Sequence, residues 1–197
     1  MNTTVAISIC SNALVLLGHD VISSFSDDGI GAKVANSFYE TTLLAILGGY
    51  KWNFATKQVK LNLLTEKPLN RWQYMFQLPT DNIRVITVSR VSDYEIVGDK
   101  IYSDSKELDI DYMHRPDESF FPPLFREAFE FHLASKWAIP VTENATNADL
   151  YYGIAEKAFR KAKNIDSKED TMRGVSAAAA LPYAMRNGGS SGGRRWR

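Results

Sequence analysis

The chain predicts an α+β protein: a bundle of about four helices, an antiparallel β insertion and an extended C-terminal tail. Three observations carry this. Apolar residues recur at helical spacing on both sides of a middle third that turns to short aromatic and β-branched runs, and the final stretch is rich in Gly, Ser, Ala and Arg. The expected organisation is a helical domain from residues 1–56 and 119–166, an inserted β region at 57–118 and a tail at 167–197.

Thr3 and Thr4 suit a helix start, and Ala6, Ile9, Cys10, Ala13, Leu14 and Leu17 make one face of a first helix from about Thr4 to Leu17, stopped by Gly18. After a Ser- and Asp-rich loop, Ala32, Ala35, Tyr39, Leu43 and Ile46 form the stripe of a second helix ended by Gly48-Gly49. Strands are expected over 59–64, 72–78, 83–88, 94–97, 100–102 and 108–112, with Gly98-Asp99 as a tight hairpin turn. Trp72, Tyr74, Phe76 and Leu78 alternate, so they are expected on one strand face. Pro122-Pro123 open a third helix whose face holds Phe125, Ala128, Phe129, Leu133 and Trp137, with Arg126 and Glu130 paired elsewhere and Pro140 as its end. A fourth helix runs from about Asn144 to Lys163, with Ala148, Tyr151, Tyr152, Ala155, Phe159 and Ala162 in register and a cluster of Lys and Arg near its C-terminus.

With 197 residues, 45% apolar and 23% charged, the chain can bury one substantial core and does not read as disordered or fibrous. Lys+Arg and Asp+Glu balance at 23 each, which removes the global basic excess of a dedicated nucleic-acid binder. The balance is uneven along the chain: residues 167–197 carry +4 and residues 1–166 carry −4. Cys10 is the single cysteine, so no intrachain disulfide or thiolate cluster is expected, and a reducing compartment fits. No basic residue precedes Lys33 and the apolar run 13–17 ends at Gly18, so neither a signal peptide nor a spanning helix is expected.

Familiar catalytic signatures are missing: no Walker loop, dinucleotide fingerprint, nucleophile elbow or paired-histidine metal motif occurs. No cofactor or metal is therefore expected. His19, His114 and His132 lie far apart, and His132 borders an apolar stripe as a packing residue. Cys10 faces the core of its helix as an inert thiol. Acids crowd Asp104, Glu107, Asp109, Asp111, Asp117 and Glu118. A carboxylate pair among them would suit general acid and base work on a glycosidic bond, but alternation of Glu107, Asp109 and Asp111 against Leu108, Ile110 and Tyr112 reads more simply as a solvated strand face. In the tail, the Gly188–Gly193 stretch has little side chain to bury and in isolation reads as a tether. Arg186, Arg194, Arg195, Trp196 and Arg197 are the residue types that anchor protein interfaces, and a partner interface is their preferred role over DNA contact. Direct DNA binding through the tail would show affinity falling steeply with salt.

The order of segments carries more than any one motif. Ala13-Leu14-Val15-Leu16-Leu17-Gly18, the loop Ile22-Ser23-Ser24-Phe25, a helix with Ala32, Ala35 and Tyr39, and Trp52-Asn53-Phe54-Ala55 come first. Then follow Trp72-Gln73-Tyr74-Met75-Phe76-Gln77-Leu78-Pro79-Thr80-Asp81, strand 83–88, and Phe120-Phe121-Pro122-Pro123-Leu124-Phe125-Arg126-Glu127-Ala128 with two closing helices. Over about residues 4–163 this resembles the tail tubular protein A family, the head-to-tail adaptors of short-tailed bacteriophages. The resemblance implies a structural virion protein of the tail or neck, assembled in the host cytoplasm as a dodecameric ring. Its partners would be copies of itself, the portal protein and the tail nozzle protein, with no membrane involved. DNA would pass through the channel without sequence-specific binding during genome retention and ejection, eased by acids among residues 1–118 if they face the lumen. The tail after Asp166 matches no motif of that family. An enzyme is the less favoured reading; it would be a cell-wall or capsular polysaccharide hydrolase of the phage tail, using Glu107, Asp109 or Glu118 as acids.

Overall fold

The computed structural model describes residues 3–69, 71–89 and 93–169. Helix α1 (Thr3–Leu16) ends in a Schellman motif, in which the His19 amide donates to the Leu14 carbonyl at 3.0 Å and the Gly18 amide to the Val15 carbonyl at 2.9 Å. A loop follows in which the Asp27 carboxylate accepts from the Ser23 and Ser24 amides, and helix α2 (Ile30–Gly49) then packs against α1. The approach is close at Gly31, where an added Cβ would lie 2.9 Å from Leu14 Cδ1, so only a residue without a side chain fits without displacing Leu14.

A 3-10 turn, Asn53–Ala55, leads into strands β1 (Thr56–Lys60), β2 (Tyr74–Gln77), β3 (Asn82–Ser89), β4 (Glu95–Val97), β5 (Lys100–Ser103) and β6 (Asp109–His114). They form two three-stranded antiparallel sheets, ordered β1-β6-β3 and β2-β5-β4. The sheets share one core of Leu61, Phe76, Leu78, Ile101, Leu108, Ile110 and Tyr112, so the insertion is a small sandwich. The outer face of the first sheet supplies Met113, Ile83 and Ile86 to the helical core, which makes that sheet the middle layer of the molecule. Two register shifts in β3 explain its odd spacing: Ile83 and Ile86 face the helices while Val85 and Val88 face the sandwich, three apart instead of two.

After a second 3-10 turn, Glu118–Phe120, come α3 (Pro123–Thr142) and α4 (Ala145–Glu169), the most extensively packed pair of helices. Pro123 occupies the first turn of α3, where its missing amide costs nothing. Glu143 closes that helix in the left-handed conformation, its amide donating to the Ile139 carbonyl, and Asn144 caps α4 by accepting from the Asn147 amide at 3.2 Å. The core between the helices is aromatic. Trp52 and Phe125 meet edge to face at 4.9 Å, Phe54 and Phe125 at 4.8 Å, and the Trp52 indole donates to the Ile46 carbonyl.

The α+β architecture with four helices and an antiparallel insertion is what the sequence predicts, with four local corrections. The first strand lies at 56–60 rather than 59–64, because its register is set by pairing of Thr56 with Met113 and Lys60 with Asp109; beyond it the Leu61 amide still donates to the Leu108 carbonyl, after which the chain turns to β2, where Leu63 bridges to Phe76 and the Leu64 amide donates to the Met75 carbonyl. Pro140 does not end α3, which runs on to Thr142, since a proline in the last turn forfeits only one bond and the Thr142 hydroxyl donates to the Ala138 carbonyl. Helix α4 continues past Lys163 to Glu169, so its Lys and Arg cluster sits in mid-helix, with Lys168 alone in the last turn. The aromatic strand is shorter than 72–78: β2 spans Tyr74–Gln77, with Tyr74, Phe76 and Leu78 packed in the sandwich core as the alternation predicts, while Met75, of the other parity, is buried as well. The hairpin at Gly98-Asp99 stands as expected, with Val97 paired to Lys100 and Gly98 at φ 62°, a conformation that favours glycine.

Candidate functional site

The acidic segment does not converge on a cleft. Alternation along β6 holds, with Leu108, Ile110 and Tyr112 buried and Asp109 and Asp111 on the opposite face. Glu107 makes an exposed pair with Lys60 at 2.9 Å, Asp104 accepts from the Gln73 amide, and Asp117 caps the second 3-10 turn through the Ser119 amide and hydroxyl, which hold its carboxyl below the usual range.

Glu118 is the exception, and it is enclosed. Its carboxylate is fully buried, receives the Arg115 guanidinium at 2.6 Å and lies 3.4 Å from the Tyr39 hydroxyl. Arg115 reaches the other way to clasp Glu40 with two nitrogens, at 2.9 and 3.0 Å. Burial by itself would lower the Arg115 pKa, but the hydrogen bonds and charges of Glu40 and Glu118 overcome it and raise the value. Burial and then the Glu118 charge push both the Tyr39 hydroxyl and the Cys10 thiol upward, so each stays protonated. Arg115 thus fastens α2 to the turn before α3. As a candidate sugar-hydrolysing acid, Glu118 has no exposed carboxylate to offer a substrate.

Contact surfaces are better developed. A cavity of about 300 Å³ opens between the start of α3 and the end of α4, floored by Trp52, Phe125 and Ala162, walled by Phe54, Pro122 and Leu124, and rimmed by Pro123, Ile165 and Glu169. At its edge the Asp166 carboxylate accepts the Asn53 amide at 3.0 Å while the Asn53 side chain donates to the Asp166 carbonyl at 2.6 Å. A second apolar groove runs between α2 and α3 at Phe38, Ala45 and Ile139, where Phe38 and Ile139 are about half exposed. Edge strand β4 exposes Ile96 and Val97.

His132 rests against Phe159 and Tyr152, its pKa lowered by burial and then by Lys136, as befits a packing residue. Cys10 is fully buried, as expected. The interface residues expected in the tail, Arg186, Arg194, Arg195, Trp196 and Arg197, lie outside the described residues. Among the described residues no group of three His, Cys, Asp or Glu side chains is placed to hold a metal ion, and no helix is long and apolar enough to cross a membrane. No protein-family model matches the chain, and no curated protein matches it significantly.

Two clusters escaped the sequence reading. Arg115 and Glu118 stand three apart and were open to recognition as a pair, but Glu40 is 75 positions from Arg115 and Asn53 is 113 from Asp166, beyond the reach of any local pattern.

Proposed function

We propose that the chain is a structural adaptor: a subunit of a head-to-tail ring between a phage portal and tail nozzle, continuing the DNA channel for genome retention and ejection. The observation that carries this reading is the presence of large unpartnered apolar side chains on separate elements, Phe38 and Ile139 on the helical side and Ile96 and Val97 on the edge of the sandwich. A closed ring needs two different patches on each subunit, and these supply candidates for both. The segment order described above supports the particular family, and the basic tail with Arg186, Arg194, Arg195, Trp196 and Arg197 is assigned to contact with the portal or a neighbouring subunit. The enclosure of Glu118 and the commitment of Glu107 to Lys60 weigh against the polysaccharide hydrolase.

Mixing the purified chain with portal rings and measuring mass and symmetry by native mass spectrometry and electron microscopy tests it. A bound ring, dodecameric by the resemblance, is expected, and deletion of residues 187–197 should weaken its binding. A chain that stays monomeric beside the portal and cleaves peptidoglycan or capsule oligosaccharide, with turnover lost in Glu107→Gln, would overturn the proposal.

A further inference from the structure

The cavity between α3 and α4 has an unusual relation to the chain: Glu169, on its rim, is where α4 ends and residues 170–197 begin. Its floor and walls are aromatic side chains and prolines, surfaces that receive another aromatic ring well, and its volume of about 300 Å³ suits one bulky side chain better than a helix. Ile165 stands 43% exposed on its lip, an apolar residue with part of its surface uncovered. The segment that starts there bears five arginines and one acid, and its last aromatic residue, Trp196, lies between Arg195 and Arg197. On the rim the exposed Glu169 carries the opposite charge, while the buried Asp166 carboxylate is held by Asn53.

We propose that Trp196 of the chain's own C-terminal segment docks in this cavity, with Arg195 or Arg197 against Glu169. Tether length favours the chain's own residue over a separate ligand. Roughly 27 residues separate Glu169 from Trp196, and a random coil of that length would average about 30 Å end to end, enough to present the indole at a concentration on the order of millimolar. The indole brings a large apolar face at a low entropy cost, and the flanking guanidinium groups match the acidic lip. If the tail serves the portal as proposed above, docking keeps its anchor covered until a partner surface competes for it. That consequence rests on the adaptor reading; the docking itself needs no portal, so the isolated chain tests it separately.

Hydrogen exchange read by mass spectrometry compares the full chain with Trp196→Ala and with deletion of 187–197. Both changes are expected to speed exchange several-fold in peptides covering 52–54, 122–125 and 162–169, and to leave β2 and β3 unchanged. Ile165→Arg, a change at an exposed lip that the fold tolerates, should have the same effect in the full chain and none in the deleted one. Identical exchange in the full and deleted chains overturns the proposal. So does protection that fades on dilution, because the occupant is then a second copy.

Discussion

The helical body and the sandwich close their cores by different means. The body relies on bulk: Trp52, Phe125, Phe129, Trp137 and Phe159 interlock between four helices, and its buried Glu118 is held by Arg115. The sandwich closes around a smaller cluster of seven buried apolar residues, and polar side chains seal its edges. Asp81 accepts from Lys57 at 2.9 Å and from the Tyr112 hydroxyl at 3.0 Å, the Trp72 indole donates to Glu95 at 2.7 Å, and the Gln77 amide donates to Asp99. A small core gains less from burial, so directional bonds carry a larger share of its stability.

The largest effects should come from truncating the cores. Phe125→Ala is expected to cost about 3–5 kcal/mol and to lower the melting temperature of the whole chain, whereas Phe76→Ala should release the sandwich strands first. Hydrogen exchange checks this: loss of helical and strand protection together in Phe76→Ala would mean that the two regions unfold as one unit. Next comes Arg115→Met, which strands the buried Glu118 carboxylate and should cost about 3 kcal/mol in denaturant titration, with partial recovery when Glu118→Gln is added.

Acid should separate the regions further. His132, in the body, has a folded-state pKa below its unfolded value of 6.5, so unfolded chains bind the proton better; its contribution is complete above that pH and is lost as pH falls from there through the folded pKa. His132→Gln should flatten that portion of a stability-against-pH curve. Asp81 belongs to a lower window. Burial alone would raise its carboxyl, but Lys57 and Tyr112 outweigh that and lower it, so its stabilisation is present above 3.8 and disappears as pH falls through the depressed value. Tyr112, pushed up to about 12 by burial and its bond to Asp81, stays protonated throughout; Tyr112→Phe should cost about 1 kcal/mol, read by urea unfolding, and weaken the Asp81 step. The smallest effect is expected from Glu107→Gln, within about 0.5 kcal/mol by the same unfolding measurement, because both partners of its pair are more than half exposed.

What the sequence revealed follows the same division. Helices announce themselves through spacing within one segment, and all four were legible to within a few residues at most ends, Pro123 and Gly18 marking their positions by local chemistry. Strand limits depend on a partner elsewhere, which is why β1 moved: the apolar Leu61, Leu63 and Leu64 look like strand, but β6 pairs with Thr56–Lys60. The alternation on β6 was readable because Leu108, Ile110 and Tyr112 are buried and the intervening Asp109 and Asp111 are not; it stops at Met113, which joins the helical core. The cavity between α3 and α4 was invisible, as its walls come from residues 52–54, 122–125 and 162–169 and no spacing rule joins them.

The reciprocal hold between Asn53 and Asp166 has a mechanical meaning. It rivets the last turns of the chain's final described helix to the residue just ahead of the first sheet. Force applied where α4 ends would pass along that rivet into the root of the sandwich instead of unravelling the helix terminus, so the exit point and the sheet share one load path.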